Sequence, residues 1–298
     1  MRVLVIGGEG QLGRDILTAL DGEDVDAPGH GALDVTDEAA VSGYVEDARP
    51  DVVVNTSAYH DVAKCEAEPD TSFSVNTLGP RNLARACRRA GARFIHMSTD
   101  YVFDGMKGAP YTEDDTPRPL MVYGASKLAG EHLARLEWDK TFIVRTTGLF
   151  GRNPCRAKPG GRNFIETMLH FGRERGEVKV VDDQRCCPTY TPDLAAQIVG
   201  LARGDAPPGL YNAVTPPGCS WYELAQLIFE ITGDKVKVVP VGSDAFPAPF
   251  RRPADSRLAN DALGRAGILV MRSVGEAVRE YLETHRESLA GRGACPSF

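Results

Sequence analysis

Tyr123 and Lys127 stand four positions apart, and a run of two hydroxyls and a carboxylate, Ser98-Thr99-Asp100, lies upstream of them. Residues four apart on a helix share a face, so the phenol and the ammonium can enter one cavity. A carbonyl that receives hydride becomes an alkoxide and needs a proton at once. A phenol can deliver it when a nearby cation draws its pKa down from about 10. Ligands of open α/β sheets bind outside the carboxyl ends of the strands. A hydroxyl just past such an end, as in Ser98-Thr99-Asp100, can orient the same carbonyl. This run with Tyr123 and Lys127 therefore reads as a site for moving a hydride between a nicotinamide cofactor and a carbonyl. Tyr-x-x-x-Lys alone also describes an ordinary amphipathic surface pair; the strand-end hydroxyls are what strengthen the catalytic reading.

A cofactor site is written at the other end of the first unit. Gly7, Gly10 and Gly13 follow an apolar strand and open a helix, with Gln11 and Leu12 between the last two; a register of Gly8, Gly10 and Gly13 fits as well. Glycine permits the tight turn and close approach to a diphosphate, and the helix N-terminus offers unpaired N–H groups. An acid about 20 positions on would mark a free ribose 2′-hydroxyl. Here the run is Val25-Asp26-Ala27-Pro28-Gly29-His30, with Asp26 inside the strand pattern and Gly29 at its end. Nothing there repels a 2′-phosphate, and His30 could face one unless it is a solvated loop residue. NADP(H) is thus favoured over NAD(H). The short side chains of Asn55-Thr-Ser-Ala58 leave room for a cofactor. Lys64 and Glu66 read as a surface ion pair, and Arg251 and Arg252 as a phosphate grip or a solvated basic loop.

The elements that must position these groups alternate. Strand patterns cover Arg2–Ile6, Asp51–Val54, Arg93–Met97 and Thr141–Arg145. Helical patterns cover Gln11–Leu20, Thr71–Ala90 (broken at Gly79-Pro80) and Tyr123–Leu136. This order predicts parallel βαβ units in a doubly wound Rossmann sheet. The second half is less regular, with helices over Asn163–Phe171, from a Thr191-Pro192-Asp193 start, over Leu224–Ile231 behind a Ser220–Glu223 capping box, and over Ser273–Glu283. Strands are expected at Val178–Val181 and Val236–Val241, a loop over Pro240–Pro253, and a frayed tail after Leu289. The expected division is a dinucleotide-binding domain over 1–147, with 179–215 returning to it, and a smaller mixed α/β substrate domain mainly over 148–298.

The chain has 298 residues, a formal charge of −7, 42% hydrophobic and 25% charged residues, the profile of an ordinary soluble globular protein with no broad nucleic-acid surface. Seven cysteines without a Cys-x-x-Cys spacing and scattered histidines argue against a disulfide framework or a metal site, and Cys186-Cys187 read as core. The first apolar run is too short for a signal peptide or a membrane span, so the expected location is cytoplasmic.

Taken together, these motifs resemble the extended short-chain dehydrogenase/reductases, on the branch that acts on nucleotide-linked deoxysugars. The resemblance runs nearly end to end. It is carried by the glycine loop, Leu33-Asp-Val-Thr-Asp37, Arg49-Pro-Asp-Val-Val-Val-Asn55, Ser98-Thr-Asp-Tyr-Val-Phe-Asp-Gly105, Tyr123-Gly-Ala-Ser-Lys127, Asp183-Gln184 with Pro188-Thr189, and Ser220-Trp-Tyr222. It implies reduction of the 4-keto group of a 6-deoxy sugar on a nucleoside diphosphate by NADPH or NADH, with Thr99, Tyr123 and Lys127 as the catalytic trio. It also implies adenine contacts at Asp34 and Val35, a cofactor groove lined by Ala58 and Tyr59, a ribose contact at Lys127, and substrate contacts at Val102, Phe103, Asn163 and Arg252. The alternatives are an epimerase or dehydratase of the same fold, or a non-catalytic cofactor-binding regulatory subunit. Three departures stand out. Relatives commonly carry tryptophan where this chain has Gly148 after Arg145-Thr-Thr, so an aromatic wall is expected to be missing. Ala63 replaces an aspartate. Acidic ligands for a dimer-bridging magnesium are not evident, which leaves a homodimer open.

Overall fold

The computed structural model describes residues 1–155, 159–285 and 289. In the first half, strands and helices alternate as β1 (Arg2–Ile6), α1 (Gln11–Ala19), β2 (Asp24–Asp26), α2 (Glu38–Ala48), β3 (Val52–Asn55), α3 (Val62–Ala67), α4 (Pro69–Phe73), α5 (Gly79–Ala90), β4 (Arg93–Thr99), α6 (Val122–Glu137) and β5 (Thr141–Thr146). There follow α7 (Phe164–Arg175), β6 (Glu177–Val181), β7 (Arg185–Cys186), α8 (Thr191–Arg203), β8 (Gly209–Asn212), β9 (Cys219–Ser220), α9 (Trp221–Thr232), β10 (Lys237–Val241), α10 (Asp261–Arg265) and α11 (Val274–Thr284).

Six strands form one parallel sheet in the order β2-β1-β3-β4-β5-β8. Strand side chains alternate between faces. Val3, Val5, Val52 and Val54 accordingly pack with Leu12, Ile16, Leu194 and Ile198 of α1 and α8, while Leu4, Ile6 and Val53 pack with Val41, Val45 and Leu83 of α2 and α5. Near-continuous apolar strands follow from burial on both faces. A third cluster joins α7, α9 and α11 over the β6–β10 pair, through Ile165, Leu224, Ile228, Val278 and Tyr281. Of the stretch 179–215, α8 and β8 belong with the large sheet, whereas β6 pairs with β10 in the smaller unit.

Several local expectations need correction. Gly79-Pro80 does not break the helix before it: the backbone stays right-handed through Ser74–Leu78, which widens into a π turn. Pro80 has no N–H for the Asn76 carbonyl four residues back, and the widened turn accommodates that loss. Thr191 is the first helical residue rather than the cap; its hydroxyl donates to the Phe150 carbonyl at 3.3 Å. The capping box at Ser220–Glu223 is present, and Ser273–Glu276 and Asn163–Glu166 form two more. The tail after Leu289 lies outside the described residues.

Candidate active site

The carboxyl ends of the sheet strands open onto a cavity of about 720 Å³ that also reaches the second unit. Thr99, Tyr123 and Lys127 all line it. Thr99 ends β4, and its hydroxyl accepts from the Tyr101 N–H at 3.2 Å, capping a short 3-10 turn over Asp100–Val102. Tyr123 is the second residue of α6. Glu66 fixes that helix start by accepting from the Val122 N–H at 2.7 Å, so Glu66 is a cap rather than the surface partner of Lys64. Gly124 sits against the turn: a Cβ there would lie 2.1 Å from the Tyr101 carbonyl oxygen. The helix thus enters close enough for the Thr99 hydroxyl to draw the Tyr123 phenol pKa down.

The electrostatics differ from the sequence expectation. Burial, then the Asp100 charge, push the Tyr123 phenol up, and only the Thr99 hydroxyl draws it back. Lys127, 2% exposed, turns its Nζ to the Met97 carbonyl at 2.6 Å and to His96 Nε2 at 3.2 Å. Burial lowers its pKa to about 8, against a smaller opposing pull from Glu131. Asp100 is buried beneath the trio, with hydrogen bonds from Ser256 at 2.5 Å and Thr99 at 3.1 Å and a further one from Thr147; desolvation still raises it to about 6. Behind β4, Glu131 accepts a fork from Arg145 at 2.9 and 2.6 Å and a bond from Ser98 at 2.5 Å.

A dinucleotide fits the opposite end of this cavity. Gly7 has φ +80°, and a Cβ on Gly13 would stand 2.2 Å from the Gly7 carbonyl oxygen, so the loop folds tightly on itself. Gly10 is the N-cap of α1 and offers no capping side chain, leaving the first helical N–H groups for an anion. Among the described residues, buried Gln11 Nε2 and Thr146 Oγ1 have no hydrogen-bond partner, and both residues line the cavity.

The other expected site residues divide. Gly10, Gln11, Leu12, Gly13, Ala58, Asn163 and Arg252 are on the cavity wall; Gly7, His30, Asp34, Val35, Tyr59, Val102 and Phe103 are not. His30 is exposed. Asp34 holds the Thr36 N–H and hydroxyl at 2.9 and 2.8 Å, which lowers its pKa, and Val35 is buried against α5. The Tyr59 hydroxyl donates to Glu68 at 2.8 Å. Val102 and Phe103 have no exposure: they pack in an apolar cluster, Phe103 stacked 4.1 Å from Tyr111, so their side chains are core. The Asn163 amide caps α7 and donates to Gly151 and Tyr281.

Some cavity groups carried no local signal. The aromatic wall expected to be missing is supplied by Trp221, whose ring edge lies 3.6 Å from where a Cβ on Gly148 would stand. Lys179 and Arg162 line the same half, and Cys186 is buried at its edge. Among the described residues no group of three His, Cys, Asp or Glu side chains is placed to hold a metal, and no helix is long and apolar enough to cross a membrane.

The family model described as RmlD substrate binding domain matches residues 1–287. The chain is 41% identical to a dTDP-4-dehydrorhamnose reductase of Streptomyces griseus, over 99% of this chain and 96% of that one. A crystal structure of a dTDP-4-dehydrorhamnose reductase from Clostridium acetobutylicum superposes with TM-score 0.90 and 37% identity, covering 96% of this chain and all of the other. A dTDP-4-dehydrorhamnose reductase from Bacillus anthracis in complex with NADP gives TM-score 0.89 and 36% identity, over 95% and 99%.

Proposed function

The chain belongs to the RmlD substrate binding domain family, and from that premise we propose that it reduces the 4-keto group of a dTDP-linked 6-deoxy sugar with NADPH or NADH. The observation that carries the reading is the meeting of the Thr99 hydroxyl, the Tyr123 phenol and the Lys127 amine in the cavity that the glycine loop also lines.

When bound, the reduced nicotinamide supplies the hydride. In this proposal Gly7, Gly10, Gln11, Leu12 and Gly13 hold its diphosphate, and Lys127 its nicotinamide ribose. His30, Asp34 and Val35 lie towards the adenosine end, with Ala58 and Tyr59 along the groove. The Thr99 hydroxyl, whose proton goes to Asp100 in the unliganded site, turns to donate to the substrate carbonyl and orients its oxygen, and Tyr123 gives that oxygen its proton as charge develops. Lys127, as an ammonium, favours the phenolate left behind. Arg252 faces the nucleotide diphosphate. Val102 and Phe103 lie off the cavity wall, and the Asn163 backbone is bonded to Glu166 and Thr167, so the sugar contacts of this proposal rest on Arg252.

The proposal extends to the division of labour between 1–147 with its returning stretch and 148–298, to a cytoplasmic location, where nicotinamide and nucleotide-sugar pools meet, and to a homodimer, which light scattering can read. Mixing the protein with a dTDP-4-keto-6-deoxyhexose and NADPH tests the core claim. Stoichiometric loss of reduced-nicotinamide absorbance is expected. Conversion of the sugar without net cofactor consumption would instead assign an epimerase.

A further inference from the structure

Lys127 ends a hydrogen-bond chain whose polarity can be followed atom by atom. The Ser57 backbone N–H donates to Asn55 Oδ1 at 3.0 Å, and the Ser57 hydroxyl donates to the same oxygen at 2.6 Å. A backbone N–H cannot accept, so the amide orientation is fixed and its nitrogen is the atom 3.1 Å from His96 Nδ1. An amide nitrogen donates, which leaves Nδ1 without a proton. His96 is fully buried, and desolvation with the adjacent Lys127 charge pulls its pKa well below the usual value, so the ring is neutral. A neutral ring with a bare Nδ1 carries its proton on Nε2. That N–H points at Lys127 Nζ, 3.2 Å away. An ammonium has no lone pair to receive it; an amine has one, and still donates to the Met97 carbonyl.

We propose that His96, locked by Asn55 and Ser57 in the Nε2–H tautomer, is a positioning residue that keeps Lys127 a neutral amine in the cofactor-free enzyme, so that cofactor binding is coupled to proton uptake at Nζ. The coupling rests on the cofactor reading above; the tautomer does not. Ribose hydroxyl oxygens offer acceptors that favour the ammonium, and the proton comes from solvent to the Nζ lone pair. The other ionisable groups around Lys127 are few. Tyr123 and Glu131 share its helix, and Asp100 and the Cys65 thiol act on Tyr123. Glu131 is itself held by Arg145 of β5. Above a pH of about 8 the chain thus places the lysine in its uncharged form until the cofactor arrives, and in that range the ammonium beside Tyr123 belongs to the loaded site.

Nitrogen-15 spectra of histidine-labelled, cofactor-free protein read the ring directly, with His96 assigned by loss of its signals in His96→Gln. A protonated Nε2 and bare Nδ1 are expected; the reverse tautomer overturns the proposal. Calorimetric titration with NADPH at about pH 9, in buffers of different ionisation heat, should show uptake approaching about one proton per site. In Asn55→Asp the carboxylate accepts from both Ser57 and His96 Nδ1–H, presents a bare Nε2 to an ammonium, and should abolish most of that uptake while NADPH still binds. Absence of uptake in the wild type, or unchanged uptake in Asn55→Asp with a reversed ring, rules the coupling out. NADPH that fails to bind the wild type at all would sink the cofactor reading and the coupling with it, while the spectra still decide the tautomer.

Discussion

Tyr123 and Asp100 divide the chemistry at the residue scale into a group that must give a proton and a group that must not compete for one. The Tyr123 phenol lines the cavity with Thr99, and its ring meets Tyr101 edge-on at 6.2 Å, so removing the oxygen leaves the packing in place. Tyr123→Phe should therefore lower kcat by about 10²- to 10⁴-fold with the NADPH dissociation constant nearly unchanged; retained turnover in a stopped-flow assay would take the proton-donor role away from it. Asp100 carries the opposite burden. Its pKa is raised from 3.8 to about 6 in the folded chain by desolvation, so the native state binds the proton more tightly than the unfolded state does. The resulting stabilisation is full below the unfolded pKa and is lost as pH rises through the folded one. Asp100→Asn lacks this dependence. On going from pH 7 to pH 5, urea unfolding should show wild type gaining about 1 kcal/mol relative to Asp100→Asn; a difference that is flat or of opposite sign contradicts the assignment of the shift to burial.

At the scale of elements, α6 matters most, because it carries both Tyr123 and Lys127. Its position is set by three seats: the Glu66 cap on Val122, Gly124 against the Tyr101 carbonyl, and Gly130, whose Cβ would stand 2.2 Å from the Asn76 carbonyl oxygen. The carbonyl facing Gly124 is backbone in the turn that follows Thr99, so Gly124→Ala must push helix and turn apart. Overpacking of this kind costs about 1–3 kcal/mol, and here it moves the phenol away from the Thr99 hydroxyl. Steady-state kinetics should show kcat at least about tenfold down, equivalent to about 1.4 kcal/mol, with a smaller change in NADPH affinity. An unchanged kcat would mean that the seat does not govern the alignment. The helix itself was legible: apolar spacing places it over Tyr123–Leu136, and it runs Val122–Glu137. The seats were not, because a glycine and a glutamate read the same whether they face solvent or a carbonyl. Thr191 shows a related limit. Thr-Pro-Asp matches a helix start, but the hydroxyl is taken by the Phe150 carbonyl from another segment, and a local pattern cannot report that competition.

Across the whole molecule, the site exists only where the two units face each other. The parallel sheet and its switch from strand to glycine loop were readable from alternating apolar runs, since burial on both faces imposes them. The partners that complete the cavity were not, because they come from far along the chain. Ser256 reaches Asp100 from 156 positions away, and Trp221 occupies the space beside Gly148. Val102 and Phe103 lie off the cavity wall, which local sequence does not reveal: adjacency to Thr99 in sequence says nothing about which side of the turn faces the cavity. The second unit supplies its share of the wall through Lys179, Arg162 and Arg252. Arg252 has the Phe250 ring 4.9 Å from its guanidinium carbon, and its charge acts on the Tyr101 phenol within the same cavity wall. Arg251, its neighbour in sequence, is exposed and off the wall. A hydrogen bond to a charged group contributes about 1.5–3 kcal/mol, so Arg252→Ala should raise KM for the nucleotide sugar by about 10- to 100-fold while NADPH affinity stays constant. Arg251→Ala should change neither. Parallel titrations of both variants with each ligand separate the two halves of the cavity: equal losses for NADPH and nucleotide sugar in Arg252→Ala, or equal effects of the two arginines, would mean that the second unit does not recognise the nucleotide sugar through this side chain.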